Sequence, residues 1–116
     1  MSQTDTAKID ALNKHSENLS KVDVDSSSYL AQEALTLAKE VNFKRGIAAA
    51  TKNLAICNYV NGKSDIAIKQ FIESIKLFEE LKDVSELAHC YSQMGIAYYL
   101  QYQYDNALKY YDKSIE

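Results

Sequence analysis

Residues that could act as nucleophiles, bases or metal ligands are few and widely separated in this chain. Its 116 residues include two cysteines and two histidines, which are Cys57, Cys90, His15 and His89. Cys90 directly follows His89, so on a helix their side chains diverge by about 100°. Neither histidine has a second histidine or a cysteine at ligand spacing. Phosphate-loop, dinucleotide, zinc-protease and hydrolase motifs do not occur. We therefore predict a chain that is not an enzyme and holds no metal or cofactor.

Composition and charge narrow the class of partner. The formal net charge is −3, which argues against nucleic acid or an anionic membrane as the main partner. No apolar stretch approaches the roughly 20 residues that a membrane span needs. The polar N-terminus lacks the apolar segment of a secretion signal. We therefore predict a cytoplasmic protein with neither a membrane nor a nucleic-acid partner.

The pattern of apolar residues predicts an all-α chain. Proline is absent and glycine occurs three times, fewer turn residues than a sheet protein of this size needs. Apolar residues recur at three- and four-residue spacing, the pattern of amphipathic helices. Short connections require consecutive helices to pack antiparallel. The predicted helices span approximately 5–21, 26–41, 44–60, 64–80, 84–101 and 104–116.

Capping residues stand near these predicted ends. Side chains that accept hydrogen bonds from a first turn favour helix starts, and a left-handed residue favours a helix end. The predicted starts are marked by Asp25 or Ser26, by Ser64 and by Tyr104-Asp105, and Asn61-Gly62 marks the end of the third helix.

The second half of the chain repeats itself with a period of 40 residues. A period of this size is typical of stacked helical or mixed repeats. The matching residues are Ala48, Ile56, Tyr59, Asp65, Ala67, Lys69, Ser74 and Ile75, which correspond to Ala88, Ile96, Tyr99, Asp105, Ala107, Lys109, Ser114 and Ile115. The earlier segment matches more weakly, and its first helix aligns only after a one-residue slip.

Small and aromatic residues in both units resemble the tetratricopeptide repeat. They are Leu54-Ala55, Gly62, Ala67, Phe71 and Ser74, followed by Met94-Gly95-Ile96-Ala97-Tyr98, Tyr104, Ala107, Tyr111 and Ser114. This resemblance implies a right-handed superhelix of antiparallel helix hairpins with three repeats, at 1–43 (degenerate), 44–83 and 84–116 (truncated). The 40-residue period resembles a subgroup common in bacterial signalling proteins, where such repeats precede an output domain.

The last predicted helix is shorter than its counterpart one repeat earlier. A solenoid needs a polar terminal helix to shield its last core face, yet this helix carries four apolar or aromatic residues, Leu108, Tyr110, Tyr111 and Ile115. Two interpretations remain open. The chain is the N-terminal part of a longer protein, which we favour, or this face pairs with a second copy to form a homodimer.

The resemblance also implies a binding site, because first helices of successive repeats line a concave groove that usually binds peptides. The family's groove positions fall on Asn13, Glu17, Lys52, Asn53, Ile56, Tyr59, His89, Ser92, Gln93, Ile96 and Tyr99. Lys52 and Asn53 match the clamp that grips a terminal carboxylate in chaperone-binding members, but Ile56 replaces a clamp asparagine. We therefore predict a non-catalytic interaction or sensory module for a protein or peptide other than a chaperone C-terminus. Self-association is the alternative.

Overall fold

Residues 2–116 form six helices, as the sequence predicts. The computed structural model describes residues 2–116. The helices are α1 (Gln3–Leu19), α2 (Val24–Glu40), α3 (Lys44–Val60), α4 (Ser64–Glu80), α5 (Val84–Leu100) and α6 (Tyr104–Ser114). The predicted bounds of the third and fourth helices are confirmed. The first two helices begin two residues earlier than predicted, and the sixth ends at residue 114.

The early start of α2 has a local cause. Asp23 occupies the N-cap, and its carboxylate accepts a hydrogen bond from the backbone N–H of Ser26 at 3.2 Å. A carboxylate satisfies one of the free N–H groups of the first turn and also interacts favourably with the helix dipole. The prediction that Asp25 or Ser26 caps this helix was therefore wrong. Ser64 was also misassigned, because it is the first residue of α4 and Lys63 is the N-cap.

The turns after α2, α3, α4 and α5 follow one plan at 20-residue intervals. Each places a residue with positive φ directly after the C-cap residue of the helix, and these residues are Asn42 (55°), Gly62 (81°), Lys82 (56°) and Tyr102 (62°). This conformation lets backbone N–H groups reach the last free carbonyls of the helix. A 17-residue helix and a three-residue turn make 20 residues, and two of them make the 40-residue period. The connection after α1 has one residue more. This extra residue explains why the first helix aligns with the later repeats only after a one-residue slip.

The arrangement of the helices defines two surfaces. Neighbouring helices along the chain pack together, and α1 also contacts α3, while α3 contacts α5. Among residues 2–116, α2 does not contact α4, and α4 does not contact α6. The first helices of the hairpins (α1, α3 and α5) are thus closer to each other than the second helices (α2, α4 and α6) are. The stack therefore curves toward the surface formed by α1, α3 and α5. We call this surface the groove.

Close approach of the helices depends on small residues. Ala55, Ala67 and Ala97 are fully buried in the larger core cluster, which spans α3, α4 and α5. At Gly95, an added Cβ would lie 2.9 Å from the ring of Tyr111, closer than van der Waals contact allows. The sequence interpretation that these positions permit hairpin packing is consistent with these contacts.

The first hairpin is held together differently. Ser16 and Ser27 are fully buried, and each hydroxyl donates to the backbone carbonyl of the other, at 2.8 and 2.6 Å. These reciprocal bonds join α1 to α2 where the second helices of the later hairpins have alanine, at Ala67 and Ala107. The thiol of Cys57 donates to Ser27 Oγ at 3.3 Å, which extends the contact to α3. Polar pairing thus replaces part of the apolar packing here, and the repeat pattern is correspondingly weak in the sequence.

Candidate peptide-binding groove

One buried lysine ties the three groove helices together. Lys52 of α3 is only 2% exposed, and its Nζ lies 2.9 Å from Oε2 of Glu86 on α5. Its other neighbours are Nδ1 of His89 at 3.2 Å and Oε1 of Glu17 on α1 at 3.6 Å. Lys52 thus donates hydrogen bonds to Glu86 and His89 and forms an ion pair with Glu17. It lies on the surface formed by α1, α3 and α5, and two of its three hydrogens are already engaged within the chain.

The environment of His89 favours its neutral form. Burial lowers the pKa of His89 below its ordinary value of 6.5, and the positive charge of Lys52 lowers it further, while Glu17 and Glu86 act in the opposite direction. In the neutral tautomer with hydrogen on Nε2, Nδ1 accepts the hydrogen bond that Lys52 donates. The second ring nitrogen then remains a donor at the groove surface, because the side chain of His89 is about one-third exposed (31%).

Two asparagines join α1 to α3 at the base of the groove. Nδ2 of Asn13 donates to the backbone carbonyl of Gly46 at 3.1 Å, and Nδ2 of Asn53 donates to the backbone carbonyl of Asn13 at 2.9 Å. Both side chains are buried, and their Oδ1 atoms have no hydrogen-bond donor among residues 2–116. Both asparagines line a cleft of about 160 Å³ that Glu17, Lys52 and Glu86 also line. The two amide oxygens are themselves buried, so they lie within the wall of the cleft, while Glu17 and Lys14 supply its exposed charged groups.

Three of the predicted groove residues, Ile56, Tyr59 and Gln93, lie inside the protein. Ile56 is 1% exposed and Tyr59 is 4% exposed. The hydroxyl of Tyr59 donates to Oε1 of Gln93, and its ring lies 6.3 Å from that of Phe71. These three predicted groove residues join the α3 and α5 helices, so they support the groove from beneath.

The surface open to a ligand is formed mainly by one face of α5. His89, Ser92 and Ile96 are partly exposed, and Tyr99 is 55% exposed. Spacings of three and four residues place them along one side of the helix. Across the groove, the half-exposed carboxylate of Glu17 faces them from α1. The open groove thus combines an aromatic ring, an aliphatic side chain and several hydrogen-bonding groups.

The four residues of the predicted self-association face do not form one surface. Ile115 is 84% exposed and Leu108 is 61% exposed, while Tyr111 is partly covered. Tyr110 instead stacks on Tyr98, with ring centroids 5.4 Å apart, and packs against the larger core cluster. The prediction of an exposed apolar face therefore suits Leu108, Tyr111 and Ile115, whereas Tyr110 serves the packing of α6 on α5.

Comparison with known proteins agrees with this architecture. The sequence profile of the tetratricopeptide repeat family matches residues 46–116. The chain belongs to the tetratricopeptide repeat family. The crystal structure of the TPR domain of Arabidopsis FLU superposes with a TM-score of 0.80 at 17% identity, covering 96% of this chain and 94% of that chain. This likeness shows that the fold includes the first hairpin, which the family profile does not match. A search of curated proteins finds no significant match.

Membership in the tetratricopeptide repeat family sets a general expectation for the groove, because such repeats typically act as protein-binding scaffolds without catalysis. Burial raises the pKa of the Cys90 thiol to about 11 and also raises that of Cys57, so neither thiol is an activated nucleophile. Within residues 2–116, no group of three potential metal ligands occurs, and no described helix is long and apolar enough to cross a membrane.

Glu86 is the groove residue that the sequence analysis missed. Glu86 lies in the first turn of α5. It stands less than one helical turn before His89, which also contacts Lys52. Such glutamates are common at helix starts because they favour the positive end of the helix dipole, so its type alone carries no signal. Identifying Glu86 would have required an alignment of α3 against α5 that places residue 86 beside residue 52.

Proposed function

We propose that this tetratricopeptide repeat domain binds a peptide or protein segment in the groove, as the regulatory module of a cytoplasmic signalling protein. The observation that carries the proposal is the face of α5 formed by His89, Ser92, Ile96 and Tyr99, which is partly exposed and lies beside the polar cleft. An apolar anchor and convergent hydrogen-bonding groups are what peptide recognition requires. The 40-residue period supports the signalling role through its resemblance to that subgroup.

The buried ion cluster restricts the chemistry of the ligand. A terminal carboxylate needs free cationic donors, and Lys52 already donates to Glu86 and His89 and pairs with Glu17. The cleft is also lined by Lys14 and by the Glu17 carboxylate, which is 41% exposed and would repel a terminal carboxylate. We therefore expect an internal segment of a partner, with backbone N–H groups and one apolar side chain, to bind better than a chain end.

Selection from a random peptide library, followed by fluorescence anisotropy titration, tests this function. Ser92→Arg fills the open face of α5, and Thr36→Arg places the same side chain at an exposed site on α2, outside the groove. We expect Ser92→Arg to weaken binding of a selected peptide by at least about tenfold, with Thr36→Arg unchanged. Equal affinity of wild type and Ser92→Arg would contradict groove binding.

Self-association through the last helix is the alternative function. The exposure of Leu108 and Ile115 supports it, because exposed large apolar side chains that lie together mark interfaces. Light scattering coupled to size exclusion across a dilution series distinguishes the two. A dimer that Ile115→Glu converts to a monomer would support self-association, and a monomer at all concentrations would leave the groove as the site.

A further inference from the structure

Three side chains from three different helices form a triangle in the groove. Nδ1 of His89 lies 3.2 Å from Nζ of Lys52 and 3.6 Å from Oε1 of Glu17. The same Oε1 atom lies 3.6 Å from Nζ of Lys52, which closes the triangle. One ring nitrogen thus lies close to both a cation and a carboxylate, and its protonation decides which of the two it can bind.

With His89 neutral, Lys52 holds this triangle together. Its ammonium group donates to Nδ1 of His89 and forms an ion pair with Glu17. Nδ1 and the carboxylate are then both acceptors, so they do not bond to each other. Burial and the charge of Lys52 favour this state, since both lower the pKa of His89. Glu17 remains 41% exposed, so its carboxylate can accept hydrogen bonds from a segment bound in the groove.

A proton on Nδ1 of His89 reverses two of the three interactions. Nδ1 becomes a donor, so it no longer accepts the hydrogen bond of Lys52, and the two cations repel each other. The imidazolium and the Glu17 carboxylate attract each other instead. Charge-assisted N–H···O bonds are about 2.7–2.9 Å long, so a rotation of the side chains is enough to form one from the present 3.6 Å. Glu17 then becomes the common partner of His89 and Lys52.

Two further charged groups act on His89. Glu86, on α5 itself, favours the protonated ring, and Lys21, in the turn after α1, opposes it as Lys52 does. Glu86 also accepts a hydrogen bond from Lys52 at 2.9 Å, and this bond keeps the ammonium group in place when His89 leaves it. Lys21 lies over the ring of Tyr59, 5.7 Å from its centroid. The exchange of partners is therefore confined to the triangle.

The exchange connects two helices whose backbones lie apart. Within residues 2–116, α1 packs on α2 and α3, and α5 packs on α3, α4 and α6, but α1 and α5 do not pack on each other. With His89 neutral, Lys52 of α3 mediates between them. A direct bond from His89 to Glu17 instead spans the groove from α5 to α1. This bond also occupies the exposed carboxylate that a bound segment would otherwise contact.

We propose that protonation of His89 switches the groove to a state that binds peptides more weakly, because His89 leaves Lys52 and takes Glu17 away from the ligand. This inference rests on the proposed peptide-binding function and concerns its regulation. A peptide that contacts Glu17 competes with the proton. Below the titration midpoint of His89 in the free chain, peptide affinity therefore falls by up to about tenfold per pH unit. Above that midpoint, this group makes the affinity independent of pH.

NMR titration of the chain with ¹⁵N-labelled histidine tests the exchange without any ligand. At about pH 8 we expect the hydrogen of His89 on Nε2 and none on Nδ1. Glu17→Gln should lower the pKa of His89, because the imidazolium loses its partner, whereas Glu73→Gln, at an exposed site on α4, should leave it unchanged. The signals of His15 show whether a variant remains folded. Hydrogen on Nδ1 in the basic form, or identical titrations of His89 in wild type and Glu17→Gln, would overturn the proposal.

Fluorescence anisotropy titration of a histidine-free peptide, selected from a library at about pH 7.5, tests the regulation. Between about pH 7.5 and about pH 5 we expect its Kd for the wild type to rise at least fivefold. His89→Gln keeps an acceptor for Lys52 but takes up no proton, so its Kd should not change over this range. A wild-type Kd independent of pH, or the same dependence in His89→Gln, would overturn the proposal. Failure to select any peptide would contradict the proposed function instead, and the NMR titration would still decide whether His89 exchanges partners.

Discussion

Lys52 and Glu86 are 34 residues apart in the sequence and 2.9 Å apart in the structure, where their ion pair joins α3 to α5 at the base of the groove. Lys52 is buried, and Glu86 is about one-third exposed (29%). A buried charge is tolerated only when it is paired. This pair therefore fixes the register of the second and third hairpins and places His89 and Ser92 on the open side of α5.

Replacing Lys52 by methionine tests this structural role. We expect Lys52→Met to reduce the free energy of unfolding by about 1–3 kcal/mol, because Glu86 and Glu17 would lose their common partner. Urea denaturation followed by circular dichroism measures the change. Lys69→Met, an exposed lysine on α4, is the matched control. In Lys52→Met combined with Glu86→Gln, part of the loss should be recovered; strict additivity of the two changes would contradict the pairing.

Two glycines inside helices should differ in their tolerance of alanine. At Gly46 an added Cβ would meet Ile9 at 2.7 Å, Phe43 at 2.8 Å and Ala38 at 3.1 Å, whereas at Gly95 the nearest group is the ring of Tyr111. Three neighbours from three segments cannot all move, but Tyr111 lies on the partly open last helix. We expect Gly46→Ala to cost about 2–3 kcal/mol and Gly95→Ala roughly 1–2 kcal/mol. Thermal and urea unfolding measure both, and the reverse order would contradict the packing described.

Glycine should stabilise a turn that now holds another residue at positive φ, and loss of glycine should destabilise the turn at Gly62. Lys82 and Tyr102 adopt φ of 56° and 62°, a conformation that glycine adopts without strain. We expect Lys82→Gly and Tyr102→Gly each to stabilise the fold by about 0.5–1 kcal/mol, and Gly62→Ala to destabilise it by about 1 kcal/mol. The shift in the urea midpoint provides the readout. Destabilisation by Tyr102→Gly would mean that its contact with Tyr104 outweighs the strain.

The pKa of His89 predicts a dependence of stability on pH. Because burial and Lys52 favour its neutral form, the unfolded chain takes up the proton first as the pH falls. The stability that neutral His89 contributes is therefore complete above its ordinary value of 6.5 and is lost as the pH falls toward the lowered folded value. We expect the wild type to lose more stability than His89→Gln between about pH 7.5 and about pH 5.5. Parallel stability curves for the two proteins would contradict this assignment.

The sequence predicted most of the fold because each helix carries its own signal. The three- and four-residue spacing located α3 and α4 to the residue, and Gly62 marked the turn between them. The start of α2 was misplaced because three candidate caps, at Asp23, Asp25 and Ser26, lie within four residues. Only the backbone geometry selects Asp23 among them.

The candidate site was less predictable because it depends on pairs of helices. Repeat positions place Lys52 and His89 on the side of the first helices, since both follow from helical periodicity. Whether such a residue is free or paired depends on its partners, however, and those lie 34 or more residues away. The sequence therefore could not show that Lys52 pairs with Glu86 or that Ile56 is covered.

The most direct measurement of the central claim is a map of backbone amide chemical shifts in the ¹⁵N-labelled chain during titration with a library-selected peptide. Binding in the groove predicts the largest shifts at Glu17, His89, Ser92 and Tyr99, and small shifts along the exposed sides of α2 and α4. Shifts confined to the second helices, or to Leu108 and Ile115 of α6 with the groove unchanged, would contradict the assignment of the groove as the peptide-binding site.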